Sequence, residues 1–365
     1  MGMDVFLTGQ IGRALLRETR CRDRFTLEPT AVRAVAPADY SASDLADAGV
    51  VEFLRPWLPE GDLAAIDLRM ASPQERKYAQ GLRCHVTSGP LPPGSFRKLC
   101  QPGKVNGNPL RGVNLYVDSP ALSYLGFAGE LLGLTKDSGM DKLQARIVCM
   151  AYGSEICGMF SLGARPREDA TYSIDHACSK TALERYLDLM PSCRGAKFGR
   201  QTLRYVLEWS NSPRETLVGL AFANPPKLGG VSLRFDRLNK TLDLSGRSDV
   251  LIHREMTPDI RLERYGIAVE YNGEDSHSRE RAMRDDKYRI DDYATLGDTL
   301  FILRNEDVSD SGSLERTLLR VAYAMRGRGF VRDAKRVRHI VEDGGAREAR
   351  VQLIQGCDAQ ASDLR

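Results

Sequence analysis

The sequence predicts an α/β protein: a mixed sheet flanked by helices toward the C-terminal end, preceded by an α+β N-terminal region. Three observations carry this expectation. Beyond residue 200 the hydrophobic pattern runs helix, several short strands, helix, strand, helix, the order a layered α/β core produces. Upstream, an extended run at 113–117 is followed by helix-like stretches at 120–134 and 141–152. The chain has 365 residues, 42% hydrophobic and 28% charged, which is ordinary globular composition and enough for two or three cores. The pattern divides into an accessory region (1–110), an α+β scaffold (111–200), a core region (201–330) and a charged tail or helix (331–365).

Residues 4–20 read as an amphipathic helix, with Ile11, Leu15 and Leu16 at helical spacing. Prolines at 29, 37, 56 and 59 then punctuate the chain, with short helices expected at 44–53 and 62–70. The window 76–115 holds Arg76, Lys77, Arg83, Arg97, Lys98, Lys104 and Arg111 and no Asp or Glu. Two readings of it stand: a phosphate-backbone contact through Arg97, Lys98 and Lys104, or a solvated loop with counter-charges elsewhere. His85, beside Cys84, reads as a packing residue. Ser119-Pro120 is an N-cap followed by proline at the first helical position. The sequence Gly-Ala-Lys-Phe-Gly-Arg at 195–200 lacks P-loop spacing, so no nucleotide site is assigned. Eight cysteines without a Cys-x-x-Cys pair point to reduced structural thiols.

Leu203, Val206 and Leu207 form a helical stripe ending near Trp209, and Ser212-Pro213-Arg214-Glu215 opens the next helix. Residues 231–235 and 242–244 read as a strand pair around Asn239-Lys240. Gly266 to Tyr271 is a β-rich apolar run that ends in the turn pair Asn272-Gly273. Pro258 biases Thr257 toward extended backbone, so neighbouring strands would bring the Asp259 and Glu270 carboxylates to one sheet edge. Asp249 is a competing carboxylate. Two carboxylates in a polar notch suit a hard divalent cation. Residues 277–296, twenty in all, contain no Gly or Pro and read as a helix; Ala282, Asp286, Arg289 and Tyr293 share its inward face. On that face Asp286 and Arg289 make a local ion pair or, beside a metal site, Arg289 instead steadies a phosphate. A buried strand at 299–303 and an amphipathic helix at 314–325, ended by Gly327 and Gly329, complete the pattern. The charged stretch after Phe330 reads as a surface helix or frayed tail.

Asp259 followed by Glu270-x-Asn272 resembles the PD-(D/E)XK nuclease superfamily. The longer string Val269-Glu270-Tyr271-Asn272-Gly273…His277…Asp286-x-x-Arg289…Gly297 is similar to the branch related to very-short-patch-repair endonucleases. The resemblance covers roughly residues 210–326. It implies a restriction-endonuclease-like fold and hydrolysis of phosphodiester bonds in DNA or RNA. It further implies a Mg²⁺ or Mn²⁺ ion on Asp259 and Glu270, Glu215 as a third acid, and a catalytic set of Asp259, Glu270, Asn272, His277 and Arg289. For Glu215 the local reading is a helix cap, since it lies three residues after Ser212. The chain departs from the parent pattern at Asn272, where a lysine is expected; Arg289 or Lys287 would then supply the cation. The rival reading is an inactive nuclease-fold DNA-binding regulator resembling abortive-infection antitoxins. Geometry separates the two: converging acids favour the enzyme, a salt bridge from Glu270 to a basic residue favours the rival. Net charge of +3 makes any nucleic-acid surface a local patch. No apolar run approaches the roughly 20 residues a membrane helix needs, and the N-terminus lacks signal-peptide build, so no membrane partner and a cytoplasmic location are expected.

Overall fold

The structure, a computed structural model, describes residues 2–38, 40–58, 65–87, 89–101, 109–165, 167–246, 250–273 and 279–361. They divide between two units: Met1–Ser138 with Phe160–Leu203, and Gly139–Met159 with Arg204–Arg365.

The first unit is built on β1 (Met3–Leu7), α1 (Gly9–Cys21), β2 (Thr26–Pro29), α2 (Ala42–Asp47), α3 (Val50–Leu54), β3 (Asp67–Met70), β4 (Arg83–Val86), β5 (Phe96–Cys100), β6 (Val113–Asp118) and α4 (Pro120–Asp137). Its six-stranded sheet is mixed, in the order β2-β5-β6-β1-β3-β4, with β1 parallel to β6 and β3 parallel to β4. The helix expected over 4–20 is therefore shorter. Val5, Phe6 and Leu7 are fully buried in a central strand, and Gly9, at φ +56°, turns the chain into α1. Only the stripe Ile11, Leu15 and Leu16 is helical, and it packs on the sheet. The helix expected over 44–53 is broken by Gly49 at φ +76° into α2 and α3. The described part of the stretch expected to be a helix at 62–70 holds strand β3, buried throughout, because its neighbours β1 and β4 pair both its edges. The Ser119 hydroxyl accepts from Leu122 N and caps α4 as expected.

From α4 the chain crosses to the second unit to form α5 (Lys142–Cys157). It returns for β7 (Phe160–Ser161), β8 (Thr171–Tyr172), α6 (Lys180–Leu189) and α7 (Ala196–Leu203). The helical stripe expected to continue through Val206 and Leu207 stops at Leu203; Leu207 N instead donates to Ser154 Oγ on α5 at 3.0 Å.

The second unit adds α8 (Pro213–Ala223), β9 (Ile260–Leu262), β10 (Ile267–Tyr271), α9 (Arg279–Thr295), β11 (Thr299–Leu303), α10 (Asn305–Val308), α11 (Ser311–Gly327), α12 (Val331–Glu342) and α13 (Gly344–Ala361). Its mixed three-stranded sheet has β10 in the centre, parallel to β11 and antiparallel to β9. Side chains from α5, α8, the sheet, α11, α12 and α13 share one apolar core, Ile147, Leu217, Val269, Leu318, Val337 and Leu353 among them. The strand pair expected at 231–235 and 242–244 does not form. Ser232 adopts φ +55°, and Val231 N and Leu233 N donate to Ala221 O and Phe222 O at the end of α8, so these donors are unavailable to a ladder. In the second segment Leu242 N donates to Met256 O, and Leu244 packs with Met256, Ala268 and Tyr293. The charged stretch after Phe330 is no frayed tail: α12 and α13 bury Val337, Val341 and Leu353, and fully buried Arg350 pairs with Glu315 at 2.7 Å.

Both units mix helices with sheet, as the fold class expected. Among the described residues no helix is long and apolar enough to cross a membrane. All eight cysteines are free thiols, and Cys149 and Cys157 are buried.

Candidate functional site

The register of β9 and β10 decides where the acids fall. Leu262, Arg261 and Ile260 face Ile267, Ala268 and Val269 in turn, and one step further Asp259 falls opposite Glu270. Directly opposed residues of antiparallel strands project on the same face, so the two carboxylates share one edge of the sheet. The backbone fixes the first of them: Tyr271 N donates to Asp259 Oδ2 at 2.6 Å.

Glu270 is only 3% exposed. Its Oε1 accepts from Tyr293 OH at 2.8 Å, and Arg289 Nη2 stands 2.5 Å from its Oε2. That close approach lies outside hydrogen-bonding alignment, so Glu270 Oε2 is buried in ionic contact with no aligned donor. Arg289 and Tyr293 lie four residues apart on α9 and reach the same carboxylate, so the inward face expected from their spacing is realised. Asp286 is not the partner of Arg289. It takes longer contacts instead, to Asn272 Nδ2 at 3.4 Å and Arg304 Nη2 at 3.5 Å. Asn272 is exposed at that rim.

Ser212 caps α8, with Glu215 N donating to Ser212 Oγ at 3.0 Å, but the expected capping box does not close: Glu215 Oε2 accepts from Asn211 N at 2.9 Å, one residue before the cap. Asn239 Nδ2 occupies its other oxygen at 2.5 Å and also donates to Trp209 O. Glu215 is nevertheless part of the acid cluster. Burial, then the negative charge of Asp259, pushes its carboxyl well above the usual range, against the opposing hydrogen bonds from Asn211 and Asn239. Burial likewise carries Asp259 up to about 6; the Tyr271 N–H and Arg289 oppose the shift and the charge of Glu270 adds to it. Glu270 is raised by burial, with Arg289 and Tyr293 restraining it. Three acids, Glu215 and Glu270 buried and Asp259 partly so, thus sit in chain, each in the field of the next.

Beside them opens a cavity of about 260 Å³ lined by His253, Thr257, Glu270, Asp285, Arg289 and Tyr293 among others. His253 and its partner Asp292, 2.6 Å apart, have no signal in the sequence: they lie 39 positions apart, with no motif joining them. Asn239 had one, since an Asn-Lys turn tolerates the φ of +51° that it adopts.

His277, Lys104 and the competing Asp249 lie outside the described residues. Arg97 and Lys98 do not make one patch. They are adjacent on β5, so their side chains leave opposite faces of the sheet, and Lys98 is paired in register with Glu28. His85 is no packing residue: it is half-exposed, with Nε2 2.9 Å from Asp67 Oδ1.

Among the described residues no group of three His, Cys, Asp or Glu side chains is arranged to hold a metal ion. Two carboxylates suffice for Mg²⁺, which completes its shell with water and phosphate oxygens. Asp259 and Glu270 fit that requirement, and the unaligned Glu270 Oε2 is an oxygen that a cation would satisfy. Glu215, with both oxygens engaged, sets the local field instead of offering a ligand. No protein-family model matches the chain, and neither a curated protein nor a solved structure matches it.

Proposed function

We propose that the second unit hydrolyses phosphodiester bonds in nucleic acid, DNA foremost, using a Mg²⁺ or Mn²⁺ ion held by Asp259 and Glu270. The observation that carries this reading is the opposition of these two carboxylates at one sheet edge, with burial raising both and the charge of Glu270 adding to the rise of Asp259. A bound cation would polarise the phosphoryl group and lower the pKa of the attacking water. The chain's own groups do the rest. Asp259 and Glu270 neutralise and orient, while the Tyr271 N–H and the Tyr293 hydroxyl lock their carboxylates. Arg289, once clear of Glu270, offers a guanidinium to a phosphate oxygen, in place of the lysine that Asn272 replaces. The resemblance to PD-(D/E)XK nucleases points the same way and supplies the restriction-endonuclease-like reading of the fold.

A second reading is favoured by one observation. Glu270 is already neutralised by Arg289, 2.5 Å away, which suits an inactive nuclease-fold module that binds nucleic acid as a regulator. One experiment separates the two. Full-length protein is incubated with single- and double-stranded DNA and RNA in Mg²⁺, in Mn²⁺ and in chelator, beside Glu270→Gln. Metal-dependent cleavage that the variant loses supports the hydrolase. Retarded migration of nucleic acid without cleavage under any condition supports the regulator, and equal cleavage by both proteins shows the site to be misassigned.

A further inference from the structure

The cavity beside Glu270 is lined by His253, one half of a His253–Asp292 pair that the reading above leaves unused. Asp292 on α9 is 2% exposed and accepts from Ile252 N and His253 N, each at 2.9 Å. His253 Nδ1 lies 2.6 Å from its Oδ2. Burial pulls the Asp292 carboxyl up, but the two backbone N–H groups and the imidazole outweigh it and hold the group below its ordinary value. An ionised carboxylate only accepts hydrogen bonds, so the proton between the two belongs to Nδ1. That leaves Nε2 as the nitrogen that exchanges protons, on a ring whose orientation is fixed by a buried partner. His253 is half-buried and lines the cavity alongside Glu270 and Arg289.

The other groups on this cavity are poorly suited to giving up a proton. Arg289 is engaged with Glu270, and a guanidinium does not serve as a proton donor to a substrate. The Tyr293 phenol is pushed up by burial and by Glu270, to which it donates. Glu255 and Asp285 are exposed, and nothing described holds them in place.

We propose, resting on the phosphodiester reading, that His253 is the general acid of this site and Asp292 its positioning residue. Water forms the new bond to phosphorus, the bond from phosphorus to the leaving oxygen breaks, and His253 Nε2–H gives its proton to that oxygen. The proton released by water passes to solvent, and the imidazole regains one from solvent, so the enzyme ends as it began.

The test compares full-length wild type, His253→Asn and Glu270→Gln, in Mg²⁺ and Mn²⁺, on two oligonucleotides. One is ordinary; in the other the leaving oxygen of the scissile bond is replaced by sulfur, which departs without a proton. His253→Asn should cut the ordinary substrate about 10²–10⁴-fold more slowly and the sulfur-bridged one at the wild-type rate. Equal loss on both substrates, or loss on neither, overturns the role of His253. Glu270→Gln should lose both; if it loses neither while His253→Asn behaves as expected, the metal-site reading fails and the acid stands. Wild type inert on both substrates overturns the two together. A readout free of activity accompanies these: nitrogen-15 spectra should show His253 protonated at Nδ1, with a downfield proton that Asp292→Asn removes. An imidazole protonated at Nε2 alone overturns the proposal.

Discussion

Replacing Asp259 by Asn should stabilise the protein at neutral pH in the absence of divalent cations. The carboxyl is lifted from the ordinary 3.8 to about 6, chiefly by burial and with a contribution from the Glu270 charge. Each tenfold change in acidity is worth about 1.4 kcal/mol, so an ionised Asp259 costs the native state up to about 3 kcal/mol. Asp259 is only partly buried by surface, and solvent screening brings this to about 2 kcal/mol. An amide has nearly the same shape, and its carbonyl oxygen can still accept from Tyr271 N. The sign follows from proton linkage. A native pKa above the unfolded one means the native state holds the extra proton, so this stability is full below the unfolded value. It is lost as pH rises through about 6. Urea unfolding at pH 4 and pH 8, in chelator, is the assay. Asp259→Asn should gain about 2 kcal/mol on wild type at pH 8 and little or nothing at pH 4. Adding Mn²⁺ at pH 8 should then stabilise wild type by mass action and leave the variant unmoved. A variant less stable than wild type at pH 8, or a difference independent of pH, refutes the argument.

Arg289→Ala removes the counter-ion of Glu270, so Mn²⁺ should bind more tightly by calorimetry even as cleavage falls. Loss of a charge-assisted phosphate contact is worth about 1.5–3 kcal/mol, or about 10–150-fold in rate, whereas Asn272→Ala at the exposed rim should cost much less. Wild-type cation affinity together with wild-type cleavage in Arg289→Ala removes both roles. In the first unit, Asp118→Ala strands Arg69, which is 7% exposed and otherwise, among the described residues, bonds only hydroxyls, Thr8 Oγ1 and Thr87 Oγ1. The pair Arg69–Asp118 is bidentate, at 3.0 and 2.5 Å. Breaking it should cost about 3–5 kcal/mol in denaturant unfolding; a cost within the usual surface range of about 0.5 kcal/mol shows the charge to be compensated elsewhere.

What the sequence disclosed was local. Ser212-Pro213 and Ser119-Pro120 cap their helices, because a hydroxyl and a proline act on the next three residues whatever the surroundings. The opposition of Asp259 and Glu270 was legible too, since Pro258 and Asn272-Gly273 bracket two short extended segments joined by a tight turn. The strand at residues 3–7 was not. Its apolar residues run into those of α1, and only Gly9, which takes φ +56°, marks the change of period. β3 is four residues long, too short for periodicity to separate strand from helix, and its pairing partners on both edges decide it. At 231–235 the β-prone composition was overridden by carbonyls at the end of α8, a tertiary contact with no counterpart in the pattern. His253 was hidden for the same reason: its significance lies in Asp292, which the fold alone brings to it.

The pair Glu270–Arg289 is where the two functional readings part, and its energetics show how. A buried carboxylate facing other carboxylates is unfavourable, and one cation 2.5 Å away relieves it without aligned hydrogen bonding to Oε2. Arg289 is partly open, with 35% of its side chain exposed against 4% for Glu270, so its release into the cavity costs less than exposing Glu270 would. A purely structural ion pair gains nothing from leaving the carboxylate oxygen without an aligned donor, or from keeping Asp259 and Glu215, both raised by burial, beside it. Under the hydrolase reading an exchangeable counter-ion accounts for these features: Arg289 would hold the acids quiet until a divalent cation took its place on Glu270, and the freed guanidinium would then be open to a phosphate. Under the regulator reading the exchange does not occur, and Arg289→Ala lowers stability without tightening Mn²⁺ binding. The cation affinity of that one variant therefore discriminates between the readings even if no cleavable substrate is in hand.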